Sequence, residues 1–209
     1  MKKTRFISCC KLYLFLENIK YMEEGIYNLI KQHFMFKFKS NEQLKIAVDK
    51  WCSNEKYIAQ LIWGDITFWD TSNITSMYKL FYNKTKFNSN ISLWNTQNVT
   101  DMTLMFHNCE LFNKPLNNWD TRKVTLLYGT FKGCNQFNQP LDKWDVTNVL
   151  RMDFLFAECY KFSQDITNWN VVNLKTNKCI IKECWDLKYN LIKWKEKNEK
   201  LIHLHNNYW

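Results

Sequence analysis

The sequence predicts a repeat solenoid whose 25-residue coils each contain a short strand and a short helical turn, preceded by an α-helical N-terminal cap. The first observation is a column of tryptophans at a constant step of 25 residues, which comprises Trp69, Trp94, Trp119, Trp144 and Trp169. One unit has too few apolar positions to close a core, so neighbouring units must stack to bury them. The second observation is an apolar helical stripe before the repeats, where a stack of units needs a cap.

Two columns of phenylalanine follow the same step of 25 residues. They comprise Phe81, Phe106, Phe131 and Phe156 in one column, and Phe87, Phe112, Phe137 and Phe162 in the other. Exposed positions should vary between copies, so we predict that the tryptophan column and the first phenylalanine column form the structural core of the repeats. An exposed aromatic platform for sugars or bases is the alternative interpretation of the tryptophans.

Within a unit, two kinds of local structure are predicted. Val99, Met102 and Phe106 have helical or 3₁₀ spacing, which predicts a short helical turn. The segment around Leu116 is too short for a helix, and we predict a short strand there that pairs with neighbouring units. An Asp or Asn after each tryptophan, such as Asp120, predicts an Asx-type turn.

The chain divides into three predicted regions. Residues 1–64 form a mostly helical capping region, 65–185 the solenoid of about five repeats, and 186–209 a degenerate last repeat or a capping helix. In the first region, an apolar stripe predicts a helix over about 11–32; it comprises Leu12, Phe15, Leu16, Ile19, Met22, Ile26, Leu29 and Ile30.

Three further signals describe the N-terminal cap. Phe34, Phe36 and Phe38 alternate with other residues as in a strand. Ser40 and Gln43 make a capping box for a helix near 41–51. A second helix is expected to stop at Gly64.

The repeat motif has a family resemblance. The segments WDTSNITSM at 69–77, FNKPLNNWDT at 112–121 and FNQPLDKWDVTNV at 137–149 resemble the repeat of the BspA-like leucine-rich repeat family. That repeat is found in bacterial surface proteins, mollicute lipoproteins, some protists and giant DNA viruses. The resemblance covers about 65–195 and implies a right-handed, leucine-rich-repeat-like solenoid used for binding, with no catalytic motif to carry over.

Composition and charge exclude several function classes. The net charge is +9, but no dense run of Lys and Arg marks a nucleic-acid footprint, so no specific nucleic-acid partner is expected. No apolar stretch approaches the roughly 18 residues of a membrane span. The apolar run after Arg5 is interrupted at Lys11, which argues against export by this segment. An intracellular or virion location is slightly favoured, and only 4 Gly argue against glycine-cradled phosphates.

We predict no catalytic, cofactor-binding or metal site. Four cysteines share one column, which comprises Cys109, Cys134, Cys159 and Cys184. A recurring position favours buried packing over a nucleophile, although His107 beside Cys109 leaves a thiol-dependent enzyme as an alternative. His203 and His205 lack accompanying ligands and are not assigned to a metal.

The columns on either side of the methionine column vary between copies, and only variable columns can encode a partner. We therefore predict a partner-binding surface that comprises Leu104, Leu126, Tyr128, Arg151 and Phe154. The predicted function is a non-catalytic scaffold that binds an unidentified protein. A surface-displayed adhesin of the same fold is the first alternative.

Overall fold

A computed structural model describes residues 35–184 of the chain. Several predictions therefore lie outside the described residues: the helix over 11–32, the strand signal at Phe34, and the last repeat or helix over 186–209. His203 and His205 lie outside them as well.

Two short α-helices precede the repeats. Helix α1, Asn41–Trp51, begins at the predicted capping box, where Ser40 Oγ accepts a hydrogen bond from Gln43 N at 3.2 Å. The Gln43 side chain reaches back to Lys39 N at 2.8 Å, one residue before the cap position. Helix α2, Lys56–Trp63, ends at Gly64, whose φ of +77° and ψ of −165° form a combination that is almost confined to glycine. Both predicted helices are therefore confirmed.

The N-terminal region closes one end of the repeat stack. Phe38 N donates to Asp70 O and Asp70 N donates to Phe36 O, both at 3.0 Å, so this segment forms a layer beside the first unit. The rings of Phe38 and Trp63 lie 5.0 and 6.3 Å from the ring of Trp69. These aromatic contacts bury the first tryptophan of the column completely.

The repeats contain no strand and no α-helix anywhere between residues 69 and 184; a 3₁₀ helix, Ile66–Phe68, precedes them. Successive units are joined instead by isolated parallel bridges, which link Ser76, Asp101, Leu126, Arg151 and Thr176 in order. The prediction of a right-handed, leucine-rich-repeat-like solenoid with a strand and a helical turn in each coil is therefore wrong.

The hydrogen bonds of the first unit show why no regular element forms. The amides of Met77, Lys79, Phe81 and Asn83 donate to carbonyls of the next unit at 2.8–3.0 Å. The alternate amides, those of Leu80, Tyr82 and Lys84, donate to carbonyls three residues earlier in their own unit. Alternate amides thus have partners in different units, which suits neither an α-helix nor an extended strand.

Left-handed residues enforce this alternation. Two positions in each unit have positive φ. The affected residues are Lys79, Asn83, Leu104, Asn108, Gly129, Gly133, Phe154, Glu158, Cys179 and Glu183. Because a strand or a right-handed helix requires negative φ at every residue, these positions interrupt both. At the predicted strand, the Leu116 carbonyl accepts from Trp119 N and Trp144 Nε1, both at 3.0 Å.

The core of the repeats is a double stack of phenylalanine rings. Rings of the first column lie 5.4–5.7 Å apart and those of the second 5.6–5.9 Å apart, all nearly parallel. Within each unit the two rings lie 4.0–4.4 Å apart, so the two stacks touch along their length. The tryptophans are buried beside them, each at most 3% exposed, which contradicts an exposed aromatic platform.

Polar side chains satisfy the irregular backbone. The predicted Asx turns are confirmed; for example, Asp145 Oδ1 accepts from Thr147 N at 2.9 Å. A second column of side-chain amides links neighbouring units, with Asn113 Oδ1 accepting from Asn138 N at 3.0 Å. These bonds replace the regular ladder that the backbone lacks.

Candidate functional site

The predicted partner residues lie on the backbone that joins the units. Leu126 and Arg151 both take part in the series of parallel bridges between units, and Asp101 is the residue before them in that series. A bridge is formed by main-chain atoms, so it holds each position in place without restricting the side chain. The same backbone frame therefore presents an acidic, an apolar and a basic side chain on three successive units.

Tyr128, Arg151, Phe154 and Lys132 form one aromatic and cationic cluster. The rings of Tyr128 and Phe154 meet edge to face with centroids 5.7 Å apart. Arg151 Cζ lies 5.2 Å from the Tyr128 ring centroid, and Lys132 Nζ lies 5.7 Å from that of Phe154. Each ring thus carries a cation over it, an arrangement stabilised by the ring quadrupole.

Leu104 lies beside the same cluster because residue 129 has no side chain. A Cβ atom built on Gly129 would be 2.8 Å from Leu104 Cδ2, so the leucine occupies the space that a larger residue would need. Leu104, Gly129 and Phe154 share one column and have φ values between +54° and +58°. We expected Leu104 and Phe154 to be exposed; both are half-buried.

The charges around the cluster are paired. Arg151 Nε lies 3.5 Å from Asp153 Oδ2, and Lys132 Nζ lies 3.3 Å from Glu158 Oε1. Asp153 is only 3% exposed and also accepts from Lys178 N at 2.8 Å. These pairs fix the cations over the rings and leave the cluster close to neutral.

The cysteine column is buried in the core. Cys109 Sγ donates to Phe81 O at 3.1 Å, and Cys134 and Cys159 make the equivalent bond at 3.0 and 2.8 Å. Burial raises the pKa of each of these three thiols well above its usual range, which disfavours the nucleophilic thiolate. Within residues 35–184, Cys52, Cys109, Cys134, Cys159 and Cys179 are free thiols.

His107 stacks on Tyr82 rather than activating a thiol. Their ring centroids lie 4.9 Å apart and the rings are nearly parallel. Burial lowers the pKa of His107, and the nearby charge of Lys132 lowers it further. The imidazole is therefore biased toward its neutral form, and its Nδ1 is buried without a hydrogen-bond partner among residues 35–184.

Sequence reasoning missed Lys132 and Gly129, although one signal was available. Two of the four glycines, Gly129 and Gly133, fall in the two columns with positive φ. Asparagine, which tolerates the left-handed region, occupies the second of these columns at Asn83 and Asn108. A column of Asn and Gly is a turn signature that could have indicated irregular backbone.

Two further observations concern metals and membranes. In the part of the chain that the structure describes, no group of three or more His, Cys, Asp or Glu side chains is arranged to hold a metal ion. Neither α1 nor α2, nor any other helix within residues 35–184, has the length and hydrophobicity to cross a bilayer.

Comparison with known proteins gives one match. A family described as Mycoplasma protein of unknown function, DUF285, matches the chain twice, over residues 33–149 and 116–206. The two matches overlap, as expected when a family built on repeats aligns with a repetitive chain. No curated protein and no solved structure matches the chain. Because the matches together span most of the sequence, the chain belongs to this DUF285 family.

Proposed function

We propose that the chain is a non-catalytic repeat scaffold that binds another protein through the aromatic strip, defined as Leu104, Leu126, Tyr128, Arg151 and Phe154. The observation that carries the proposal is the half-exposed, edge-to-face pair of Tyr128 and Phe154 with Arg151 held against it. Tyrosine and arginine are enriched where interface energy concentrates. Apolar side chains in the middle with charged groups at the rim match the anatomy of a protein interface.

The strip is also fixed before any partner arrives. The Arg151 side chain is held against the Tyr128 ring and beside Asp153, and Leu104 is packed over Gly129. Side chains that are already ordered lose less conformational entropy on binding, which favours affinity for a given contact area. Lys132 and Arg151 are paired with Glu158 and Asp153, so they are poorly placed to neutralise phosphates. We therefore expect a protein rather than a specific nucleic acid as the partner.

A surface-displayed adhesin is the second candidate function, and it rests on the likeness of the repeat motif to BspA-like repeats. WDTSNITSM at 69–77 and FNKPLNNWDT at 112–121 carry that likeness. We propose this family relation at the level of the repeat sequence only. Protease treatment of intact cells that produce the protein tests the location, because a surface protein is cleaved without lysis and an internal one is protected.

The thiol-dependent enzyme is the least favoured candidate. A catalytic thiol needs a lowered pKa and access to substrate. Burial of Cys109 has the opposite effect on its pKa, and its neighbour His107 stacks on Tyr82.

The test of the proposed function uses two double variants in a pull-down followed by mass spectrometry. Leu104→Asn with Phe154→Asn removes two apolar side chains and keeps a residue that tolerates positive φ. We expect partner capture to fall more than tenfold, since central apolar anchors often contribute over about 1–2 kcal/mol each. The control is Asn118→Ser with Lys143→Ser, two exposed positions of another column.

The outcome is decided by comparing the two variants. Capture that is lost with the Asn variant and retained with the control supports the strip as the interface. If the Asn variant keeps the near-ultraviolet circular dichroism of the wild-type chain and still captures every partner, the binding surface lies elsewhere and the proposal is wrong.

A further inference from the structure

Helix α2 has a second apolar face that the fold does not use. Ala59 and Trp63 point into the core and are buried. On another side of the same helix, Ile58, Leu61 and Ile62 are 41%, 52% and 53% exposed. Their spacing of three and four residues places them in one stripe.

This exposure is unusual for a helix that is already packed in a core. A helix at the surface of a protein normally presents polar residues to water on the face opposite its buried stripe. In α2 only Lys56 and Gln60 are polar. Adjacent exposed aliphatic side chains commonly mark a contact surface. This face of α2 is therefore a candidate surface for another segment or molecule to pack against.

The path of the chain indicates the occupant. The ring of Phe36 lies 6.5 Å from that of Trp63, the last residue of α2, so the point to which the preceding segment is covalently attached lies beside this helix. Three residues, 33–35, separate the end of the 11–32 segment from Phe36. An extended link of that length reaches at most roughly 14 Å. Helix α2, with 8 residues, is about 12 Å long, so a link of this length can reach along it.

The tethered segment has the pattern that the face requires. The apolar stripe predicted over 11–32 ends with Ile26, Leu29 and Ile30, nearest in sequence to the tether. We propose that the apolar stripe of residues 11–32 covers Ile58, Leu61 and Ile62 of the same chain. A short tether gives an effective concentration of about millimolar, which favours this occupant over a second copy or a lipid surface. The proposal is independent of the aromatic strip.

Photo-crosslinking of the full chain tests this contact. The photo-reactive amino acid p-benzoylphenylalanine replaces Leu61, and mass spectrometry identifies the peptide that it captures. The matched control replaces Leu93, an exposed leucine of the repeats that is 38% exposed. Equal amounts of ¹⁵N-labelled and unlabelled chain are mixed, so that links between copies are recognised by their mixed isotopes. We expect the probe at position 61 to capture residues 11–32 of its own chain at least tenfold more than the control probe does.

A variant of the segment gives the reverse test. Ile26→Asp with Ile30→Asp should lower the crosslinking yield at position 61 more than tenfold, while the near-ultraviolet circular dichroism of the aromatic stack is kept. Mixed-isotope links would assign the face to a second copy, and links only to added phosphatidylglycerol vesicles would assign it to a membrane surface. Either result, or a yield at position 61 no higher than at position 93, overturns the proposal. If the double variant fails to fold, the crosslinking yield of the chain that has the probe at position 61 and no change in residues 11–32 still decides whether the proposal holds.

Discussion

The indole nitrogen of Trp144 donates a hydrogen bond to the carbonyl oxygen of Leu116, 28 residues earlier, at 3.0 Å. The same bond recurs along the column, as Trp94 to Ile66, Trp119 to Ile91 and Trp169 to Leu141. Each of these four tryptophans therefore links its own unit to the preceding one while its ring fills the core. The repeated isoleucine or leucine supplies both an apolar side chain and this carbonyl.

Two substitutions separate the hydrogen bond from the packing. Trp144→Ala should lower the free energy of unfolding by about 3–5 kcal/mol, because it leaves a cavity in the stack. Trp144→Phe keeps a ring and loses the N–H, and Leu116 O retains its bond from Trp119 N. We expect that change to cost only about 1–2 kcal/mol. Urea unfolding followed by fluorescence measures both, and equal losses would mean that ring packing contributes nothing beyond the bond.

Two glycines with positive φ differ in the space that an added Cβ would have. Gly64→Ala adds a Cβ that meets nothing within 4 Å, so its cost should be only the roughly 1–3 kcal/mol of an L residue held at φ +77° and ψ −165°, a combination that is almost confined to glycine. Gly133→Ala would place its Cβ 2.3 Å from Asn108 Oδ1, so the asparagine must move as well. We expect Gly133→Ala to cost about 1 kcal/mol or more beyond Gly64→Ala.

A double-mutant cycle on thermal melts checks that assignment. Asn108→Ala removes the clashing oxygen, so it should reduce the extra cost of Gly133→Ala. Additive effects of the two changes would show that the clash is relieved elsewhere.

The buried thiols should resist alkylation in the native protein. At pH 8 we expect Cys109, Cys134 and Cys159 to react with iodoacetamide far more slowly than in urea, because burial excludes the reagent and raises the pKa of each thiol. Cys52 is half-buried and its pKa is raised to about 11 by burial, so it should react slowly but before the others. Mass spectrometry of each cysteine peptide measures the rates. One column cysteine that reacts as fast in the native chain as in urea would revive the thiol-enzyme hypothesis.

The same thiols predict a loss of stability at alkaline pH. Burial raises the pKa of Cys134 above its usual value of 9.0, so the folded state holds the proton after the unfolded chain has released it. The stabilisation from this group is fully present below about pH 9 and is lost as the pH rises. The slope is up to about 1.4 kcal/mol per pH unit for one thiol.

Urea melts between pH 8 and pH 10.5 measure this slope. Cys134→Ala should flatten the decline relative to the wild-type chain, because the variant has one thiol fewer to deprotonate on unfolding. An unchanged slope would show that this cysteine does not titrate differently in the two states.

The sequence by itself determined which positions are buried. A step of 25 residues in Trp and Phe identifies the columns that stack, because burial requires the same side chain in every copy. The sequence also predicted three local features correctly: the Asx turn at Asp145, the helix cap at Ser40 and the end of a helix at Gly64. In each of these the interacting groups lie within a few residues of each other, so the sequence contains the whole interaction.

Only the tertiary structure decided the path of the backbone and the form of the binding surface. The periodicity of apolar residues reports burial and not φ, so the positive φ at Leu104 and Phe154 could not be derived, and a strand and a helical turn were predicted wrongly. Likewise, Arg151 lies over Tyr128 and Lys132 over Phe154 because stacking brings together residues 22 or 23 positions apart. Such contacts depend on the spacing and rotation between units, which are set by the hydrogen bonds that join one unit to the next.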